Sequence, residues 1–198
     1  MIIAVIGKTS SGKDTLAKIL HEKYEYPFMV SYTTRPKRDY ETNGKEHYFV
    51  TEDEAKELTC GYTNCLALTE IDNNHYFTLP SQVMDNDYIY IIDPSGVDYI
   101  NKYYPDIQLF SVYVDCPEMI IKNRAILRGD DTEKVISRLN DERQQMDNFR
   151  DGKLWNYIID NSKSKTDFEA QIPGLIDMLE KFKSQTEENN IEGVSYGR

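Results

Sequence analysis

The strongest constraint on the fold is a glycine-rich loop that follows a short apolar segment near the N-terminus. Residues 2–6 read IIAVI, a continuous run typical of a strand buried on both faces of a parallel sheet. Residues 7–13 match G-x-x-x-x-G-K, and residues 14–24 have the apolar spacing of a helix. Between a strand and a helix, such a loop points its N–H groups at phosphate oxygens, and Lys13 can reach the β- and γ-phosphates of a nucleotide. The sequence therefore predicts an α/β P-loop fold with a phosphate site at its first loop.

The residues predicted to bind ATP are the loop and the two positions after it. They are Gly7, Lys8, Thr9, Ser10, Ser11, Gly12, Lys13, Asp14 and Thr15. The position after the lysine normally supplies a hydroxyl to Mg²⁺, and here it is a carboxylate, itself a good hard-oxygen ligand. Three roles are therefore open to Asp14: direct binding of Mg²⁺, binding through water, or capping of the helix. Thr15 is one position out of register for the metal.

The rest of the chain alternates apolar strand-like runs with helical segments. Predicted strands at 88–92, 109–114 and 157–159 alternate with predicted helices at 117–127, 132–146 and 166–183. This alternation predicts a three-layer α/β/α fold with a parallel central sheet and right-handed crossovers. Two segments, 31–82 and 121–140, break the alternation and are predicted to be insertions. We expect one domain over 1–198, with its core in 1–30, 83–120 and 141–183 and a polar tail at 184–198.

Composition excludes several classes of function. The net charge of −11 disfavours a nucleic-acid polymer as partner, although a small phosphate ligand needs only a local cationic pocket. No apolar run approaches the roughly 20 residues of a membrane helix, so no membrane partner is expected. Three cysteines do not make a disulfide framework, and a reducing, cytoplasmic setting is predicted. The sequence leaves the oligomeric state open.

A second segment carries a hydroxyl and two arginines suited to phosphate. Residues 31–38 read SYTTRPKR, and residues 44–50 read GKEHYFV. Arginine presents a planar fork that matches phosphate geometry, and Pro36 restricts Arg35 to an extended conformation. At this point the sequence resembles the guanylate kinase family, whose S-x-T-T-R-x-x-R stretch is followed by G-x-x-(Y/H)-x-F-V. The resemblance covers roughly residues 1–183 and implies a P-loop nucleoside monophosphate kinase that uses ATP and Mg²⁺.

The resemblance also implies particular site residues. By this resemblance, residues 31–82 are the insertion that binds the nucleoside monophosphate, and residues 121–140 are an arginine-bearing lid. It assigns to the acceptor nucleotide Ser31, Arg35, Arg38, His47, Tyr48, Tyr76, Thr78 and Asp93. It assigns to catalysis Lys13, Arg35, Arg124, Arg128 and Arg138, to the metal Asp14 and Asp93, and to the adenine pocket Asn161.

The family pattern is not matched everywhere. His47 stands where the family has a phosphate-binding tyrosine, and Tyr48 is the neighbouring candidate. Eleven residues before Thr78, where the family carries a glutamate that contacts guanine, this chain has Ala67. We consider a small register shift that would bring in Glu70 or Asp72, and the alternative that selectivity for guanine is altered or lost.

The leading hypothesis from the sequence is ATP-dependent phosphorylation of GMP or dGMP. A second hypothesis is a kinase of the same fold with another small phosphorylated acceptor, such as a different deoxynucleotide or a ribose phosphate. The third is a non-catalytic module that binds phosphopeptides. The intact loop lysine and the lid arginines disfavour the third.

Overall fold

A computed structural model describes residues 1–71, 73–83 and 86–195, with the backbone alone described for Ile71 and 186–195. Asp72 therefore lies outside the described residues. The strands are β1 (Ile2–Ile6), β2 (Tyr32–Thr33), β3 (Tyr48–Phe49), β4 (Ala67–Ile71), β5 (Asn74–Thr78), β6 (Tyr88–Ile91), β7 (Leu109–Asp115) and β8 (Tyr157–Asp160). The helices are α1 (Lys13–Tyr24), α2 (Glu52–Leu58), α3 (Pro94–Tyr103), α4 (Glu118–Arg128), α5 (Thr132–Asp151), α6 (Lys165–Glu169) and α7 (Ile172–Ser195), with a 3₁₀ helix at Pro80–Gln82.

The chain forms two compact units, which are described separately. The first unit comprises residues 1–4 and 17–109. The second unit comprises residues 5–16 and the chain from Phe110 onward. The second unit contains the glycine-rich loop and the predicted lid, and the first contains the predicted acceptor segment.

One sheet is the parallel sheet that the sequence predicts. Its four strands are ordered β6-β1-β7-β8, and all five residues of β1 are buried. Strand β7 pairs in parallel with β8, from Val112 opposite Tyr157 to Asp115 opposite Asp160. β-Branched and other apolar residues fill these strands because a parallel sheet is covered on both faces. The predicted α/β fold class is confirmed.

A second sheet lies within residues 32–78, inside the predicted insertion. Its strand order is β3-β2-β5-β4, with β2 parallel to β3 and antiparallel to β5. Strands β4 and β5 form an antiparallel ladder from Ala67 opposite Thr78 to Ile71 opposite Asn74. Phe77 and Leu79 pack with Ala55, so this sheet has a small hydrophobic core of its own. The assignment of 31–82 as a nucleotide-binding insertion remains a prediction.

Several element boundaries differ from those expected. Helix α2 begins with a capping box between Thr51 and Glu54. Helices α4 and α5 extend beyond the predicted lid at 121–140, since α4 begins at Glu118 and α5 ends at Asp151. The predicted helix 166–183 is instead two helices, because Pro173 fits only the first turn of a new one. The second continues to Ser195, through most of the segment expected to be a polar tail.

Helix α3 was not predicted, although its start carries a recognisable signal. Asp93 caps the helix, its side chain accepting a hydrogen bond from the Gly96 N–H, and Pro94 occupies the first turn. An aspartate followed by proline is a frequent helix start. Apolar periodicity then places Val97 and Ile100 in the core.

Candidate active site

In the glycine-rich loop of the second unit, side chains at the two glycine positions would clash with neighbouring atoms. Gly7 has a φ of 152°, and a Cβ atom there would lie 2.6 Å from the Val114 carbonyl oxygen. Gly12 has a φ of 109°, and a Cβ atom would overlap the side-chain amide of Asn161. That amide donates a 2.6 Å hydrogen bond to the Ser11 carbonyl oxygen. The two glycines and Asn161 therefore hold the loop in the conformation that the motif requires.

Lys13 is folded back onto the loop that it follows. Its Nζ donates hydrogen bonds of 2.8 Å to the carbonyl oxygens of Gly7 and Lys8. Burial lowers its pKa, and the carboxylates of Glu142 and Asp14 act in the opposite direction. The ammonium group therefore lies at the loop, where a bound phosphate chain would compensate for its burial.

Glu142 is a loop contact that the sequence did not identify. Its carboxylate accepts a hydrogen bond from the Thr9 backbone N–H, one of the donors that the motif presents to phosphate. Arg138 lies four residues earlier on α5 and is exposed. Because residues four apart share a helix face, Arg138 is one turn away from the residue that contacts the loop. Only the tertiary contact reveals Glu142, since the sequence around it shows an ordinary charged helix.

Lys8 anchors the loop to helices α4 and α5. Its Nζ lies 3.1 Å from Glu118 and 2.8 Å from Asp147, and the residue is 7% exposed. Arg143 forms two further hydrogen bonds, of 2.8 and 2.7 Å, with Glu118. The fork of Arg143 and the ammonium of Lys8 lower the pKa of Glu118 to about 2. Burial would lower the pKa of Lys8, but its bonds to Asp147 and Glu118 raise it overall.

Two of the predicted lid arginines line a pocket beside the loop. The pocket measures about 340 Å³ and is also lined by Ser10, Thr15 and Asn161. Arg128 donates a 3.2 Å hydrogen bond to the Ser10 hydroxyl, and Arg124 donates to the Lys163 carbonyl oxygen and the Cys116 thiol. This pocket therefore brings together residues of the loop, two of the predicted lid arginines and Asn161, the residue expected near adenine.

In the first unit, Arg35 is the centre of the predicted acceptor cluster. Its Nε donates to the Tyr76 hydroxyl at 3.1 Å, and its two Nη atoms reach Glu41 at 3.1 and 2.7 Å. Arg38 is exposed, and its side chain donates to the Tyr40 hydroxyl at 2.8 Å. The structure therefore groups Arg35 with Tyr76 and adds Glu41, which the sequence did not single out.

The structure distinguishes His47 from Tyr48. The His47 ring is 2.9 Å from the Ser31 hydroxyl and packs edge-on to Tyr76 with ring centroids 5.5 Å apart. Burial, with the nearby charge of Arg35, lowers the pKa of His47. Tyr48 instead stacks on Tyr32, with centroids 4.9 Å apart. His47, rather than Tyr48, therefore joins Ser31 and Tyr76.

A pocket of about 490 Å³ in the first unit is the candidate base site. Ala67, Tyr90 and Asp93 are among the residues that line it. The buried Thr78 hydroxyl lies 3.3 Å from the Tyr90 hydroxyl, so Thr78 meets this pocket through Tyr90. Asp93 accepts from the Ser95 hydroxyl at 2.6 Å while it caps α3. Hydroxyl groups and one capping carboxylate thus supply polar atoms around an otherwise largely aromatic and aliphatic pocket.

The structure places Glu70 away from the position that Ala67 occupies. The ladder places Ala67 opposite Thr78 and Glu70 opposite His75 without interruption. Since side chains alternate along a strand, Glu70 points to the face opposite that of Ala67, and it is exposed. Among the described residues of β4, none places a carboxylate at the Ala67 position.

The two predicted metal ligands, Asp14 and Asp93, are held in different ways. Asp14 is exposed in the first turn of α1, and Asp93 is engaged as the cap of α3. Within residues 1–71, 73–83 and 86–195, no three acidic, histidine or cysteine side chains are grouped for a metal. Mg²⁺ characteristically uses one or two carboxylates together with substrate phosphates and water. The donor set around Asp14 fits a metal that arrives with a nucleotide.

The fold and these two clusters define a P-loop phosphotransferase of the nucleoside monophosphate kinase class. Over residues 1–182 the sequence matches the family described as guanylate kinase, and the chain belongs to that family. It is 34% identical over 155 residues to a guanylate kinase of Lactobacillus johnsonii, covering 74% of each chain. It is 28% identical over 188 residues to the guanylate kinase of Sus scrofa, covering 90% of this chain and 93% of that one.

A solved structure is similar in fold. The guanylate kinase from Anaplasma phagocytophilum matches with a TM-score of 0.54 at 18% identity, covering 96% of this chain and 85% of that chain. At this identity the likeness concerns the fold alone. In the described part of the chain, the helices are too short or too polar to cross a bilayer.

Proposed function

We propose that the protein transfers the γ-phosphoryl group of ATP to GMP or dGMP. The observation that supports this proposal is that each unit has a cluster of groups suited to binding phosphate. The loop of the second unit offers backbone N–H groups and Lys13, and the first unit offers Arg35 with Tyr76. Family membership supports the nucleotide substrate class.

ATP is proposed to bind in the second unit. Its phosphates take the loop N–H groups and Lys13, while the adenine lies in the pocket beside Asn161. Arg124, Arg128 and Arg138 neutralise charge that develops on the transferring group. When bound, Mg²⁺ would supply additional positive charge at the phosphates of ATP, with Asp14 as its proposed protein ligand in this unit. The assignment of Asp93 to the metal remains a prediction.

The acceptor nucleotide is proposed to bind in the first unit. The monophosphate is assigned to Arg35, Arg38, Tyr76, Ser31 and His47. The base is assigned to Asp93 and to Thr78, which acts through the Tyr90 hydroxyl. No protein nucleophile is needed, because an oxygen of the acceptor phosphate attacks the γ-phosphorus. The protein therefore contributes positioning, charge neutralisation and exclusion of water.

The expected division of the chain is part of the same proposal. Residues 31–82 serve as the monophosphate-binding insertion and 121–140 as the arginine-bearing lid. Substrates of this kind and three free thiols support action in the cytoplasm.

The proposal is tested by ADP release with a panel of acceptors. GMP and dGMP should give turnover well above AMP, CMP, UMP and dTMP, and Lys13→Ala should abolish it. Lys153→Ala is the matched control, since it removes an exposed lysine far along the chain from the loop. Strong turnover with a non-guanine acceptor alone would reject guanine as the substrate base.

A second candidate is the same transfer to a different small phosphorylated acceptor. The specific observation in its favour is Ala67, which leaves the base pocket without a carboxylate opposite Thr78. The same assay distinguishes the two candidates, because only the preferred acceptor changes.

A further inference from the structure

Glu41 is a buried carboxylate to which the proposed reaction assigns no role. The residue is 7% exposed although it is charged, and such burial is unusual unless the charge is paired. Its carboxylate accepts two hydrogen bonds from Arg35 and a third, of 2.8 Å, from the Arg38 backbone N–H. These bonds, that of Arg35 first, lower the pKa of Glu41 to about 2, so it is ionised at neutral pH.

The backbone of Glu41 is fixed as firmly as its side chain. Its N–H donates to the Arg38 carbonyl oxygen at 3.1 Å, closing a turn. Its carbonyl oxygen accepts from the Lys37 ammonium at 2.9 Å. Glu41 is thus the hub of residues 35–41, and a group held by so many bonds is unsuited to leave when a phosphate arrives.

The pairing limits what Arg35 can offer a ligand. A guanidinium has five N–H donors, and four of those of Arg35 are occupied. They go to the Tyr76 hydroxyl, to the Pro36 carbonyl oxygen and twice to Glu41. One N–H of Nη2 remains, together with the proton of the Tyr76 hydroxyl, since that oxygen accepts from Nε.

We infer that Glu41 is a positioning residue for the acceptor phosphate, fixing Arg35 and the Arg38 backbone by direct hydrogen bonds. The inference rests on the proposed transfer to a monophosphate. In this arrangement Arg35 contributes a single oriented N–H and orients the Tyr76 hydroxyl. The exposed side chain of Arg38 contributes the larger share of phosphate hydrogen bonds. An arginine without Glu41 would sample many rotamers, and the phosphate would have to restrict them on binding.

The test is steady-state kinetics of Glu41→Gln, with both substrates varied in turn. Glutamine keeps the shape but removes the charge, and its NH₂ group cannot accept from Arg35. We expect kcat/KM for the acceptor to fall about 30-fold, mainly through KM, while KM for ATP stays within twofold. Loss of about one hydrogen bond to a charged group, roughly 2 kcal/mol, gives this factor.

The matched control is Glu46→Gln in the same segment. Glu46 also accepts a backbone hydrogen bond, from Thr42 at 2.7 Å, but it is exposed and contacts neither arginine. It should remain within twofold of the wild type in every constant. Glu41→Asp keeps the charge on a shorter side chain and should recover at least threefold of the acceptor kcat/KM lost in Glu41→Gln.

Two results would overturn the inference. An acceptor KM for Glu41→Gln equal to or below the wild-type value would make Glu41 a bystander or a competitor for the phosphate. Equal losses for ATP and acceptor with a lowered melting temperature would make its role general stability.

Turnover by the wild-type protein shows separately whether the proposed function fails. If another monophosphate is the substrate, the same ratios are measured with it, because Glu41 acts on the phosphate and not on the base. If no monophosphate turns over, its binding is measured by calorimetry, and the same 30-fold ratio is expected. Absence of any monophosphate binding by the wild type would also reject the role of Glu41.

Discussion

Placing a carboxylate at position 67 of the candidate base pocket is the change that most directly tests how the acceptor base is selected. Ala67 lines the 490 Å³ pocket and is paired with Thr78. Ala67→Glu would place a carboxylate on the pocket face of β4, where Glu70 cannot reach. Guanine presents an N1–H and a 2-amino group to such an acceptor, hypoxanthine presents only the N1–H, and adenine presents neither in the same arrangement.

The magnitude follows from the surroundings of residue 67. A hydrogen bond to a charged group contributes about 1.5–3 kcal/mol net, and two are available to guanine. Desolvation of the new carboxylate offsets part of this gain, because Ala67 is half-buried and Asp93 adds a second negative charge in the pocket. A net gain of about 2 kcal/mol corresponds to roughly a 30-fold rise in kcat/KM for GMP relative to AMP. IMP should gain less than GMP.

The assay is coupled ADP release with GMP, IMP and AMP as acceptors, for the wild type and two variants. Ala67→Gln is the control, since it fills the same space without the charge. An unchanged GMP-to-AMP ratio in an Ala67→Glu protein that melts like the wild type would refute the placement of the base in this pocket. An equal gain in Ala67→Gln would refute the role of charge.

Three further predictions concern the second unit. Lys8→Met should lower the free energy of unfolding by about 2 kcal/mol in urea titrations, because it removes a buried cation from two half-buried carboxylates that keep only their arginine partners; an unchanged midpoint would contradict this. Glu142→Gln should lower KM for ATP about fivefold, since its carboxylate contacts a loop N–H and two unit charges at a separation of about 4 Å repel by roughly 1 kcal/mol in water; a raised KM would show that the carboxylate assists binding. The folded pKa of Glu118 is about 2 against an ordinary 4.5, so its contribution to stability is complete above pH 4.5 and is lost as pH falls toward 2. Melting temperatures followed down this range should fall less steeply in Glu118→Gln, and parallel curves would argue against the role of Glu118.

Local sequence pattern was sufficient for most of the elements. The buried strand, the G-x-x-x-x-G-K loop and the following helix are all encoded within Ile2–Tyr24, and they appear as β1 and α1. The capping box that starts α2 is likewise local, because its partners are three residues apart. Where local signals were incomplete, the predictions were wrong. Helix α3 was missed despite its aspartate and proline, and Pro173 divides a segment that was predicted to be one continuous helix.

The tertiary contacts that shape the two candidate phosphate-binding clusters could not be predicted from local sequence pattern. Glu142 meets Thr9 across 133 positions of the chain, and Lys8 meets Glu118 across 110. Such pairs depend on how helices pack, and no periodicity in the sequence specifies them. Glu41 is close to Arg35 in the chain, yet only its burial distinguishes it from the other acidic residues of a polar loop.

The sequence by itself determined the strand–loop–helix phosphate motif, the α/β class and the family, because each depends on residue identity at fixed spacing. Tertiary structure decided which neighbour joins the acceptor cluster, His47 over Tyr48, through the opposite orientation of adjacent side chains. It also decided the β4–β5 register, which leaves Ala67 opposite Thr78 and turns Glu70 away. A one-residue slip would reverse every side chain of the strand, so only the paired ladder could exclude a carboxylate at that position.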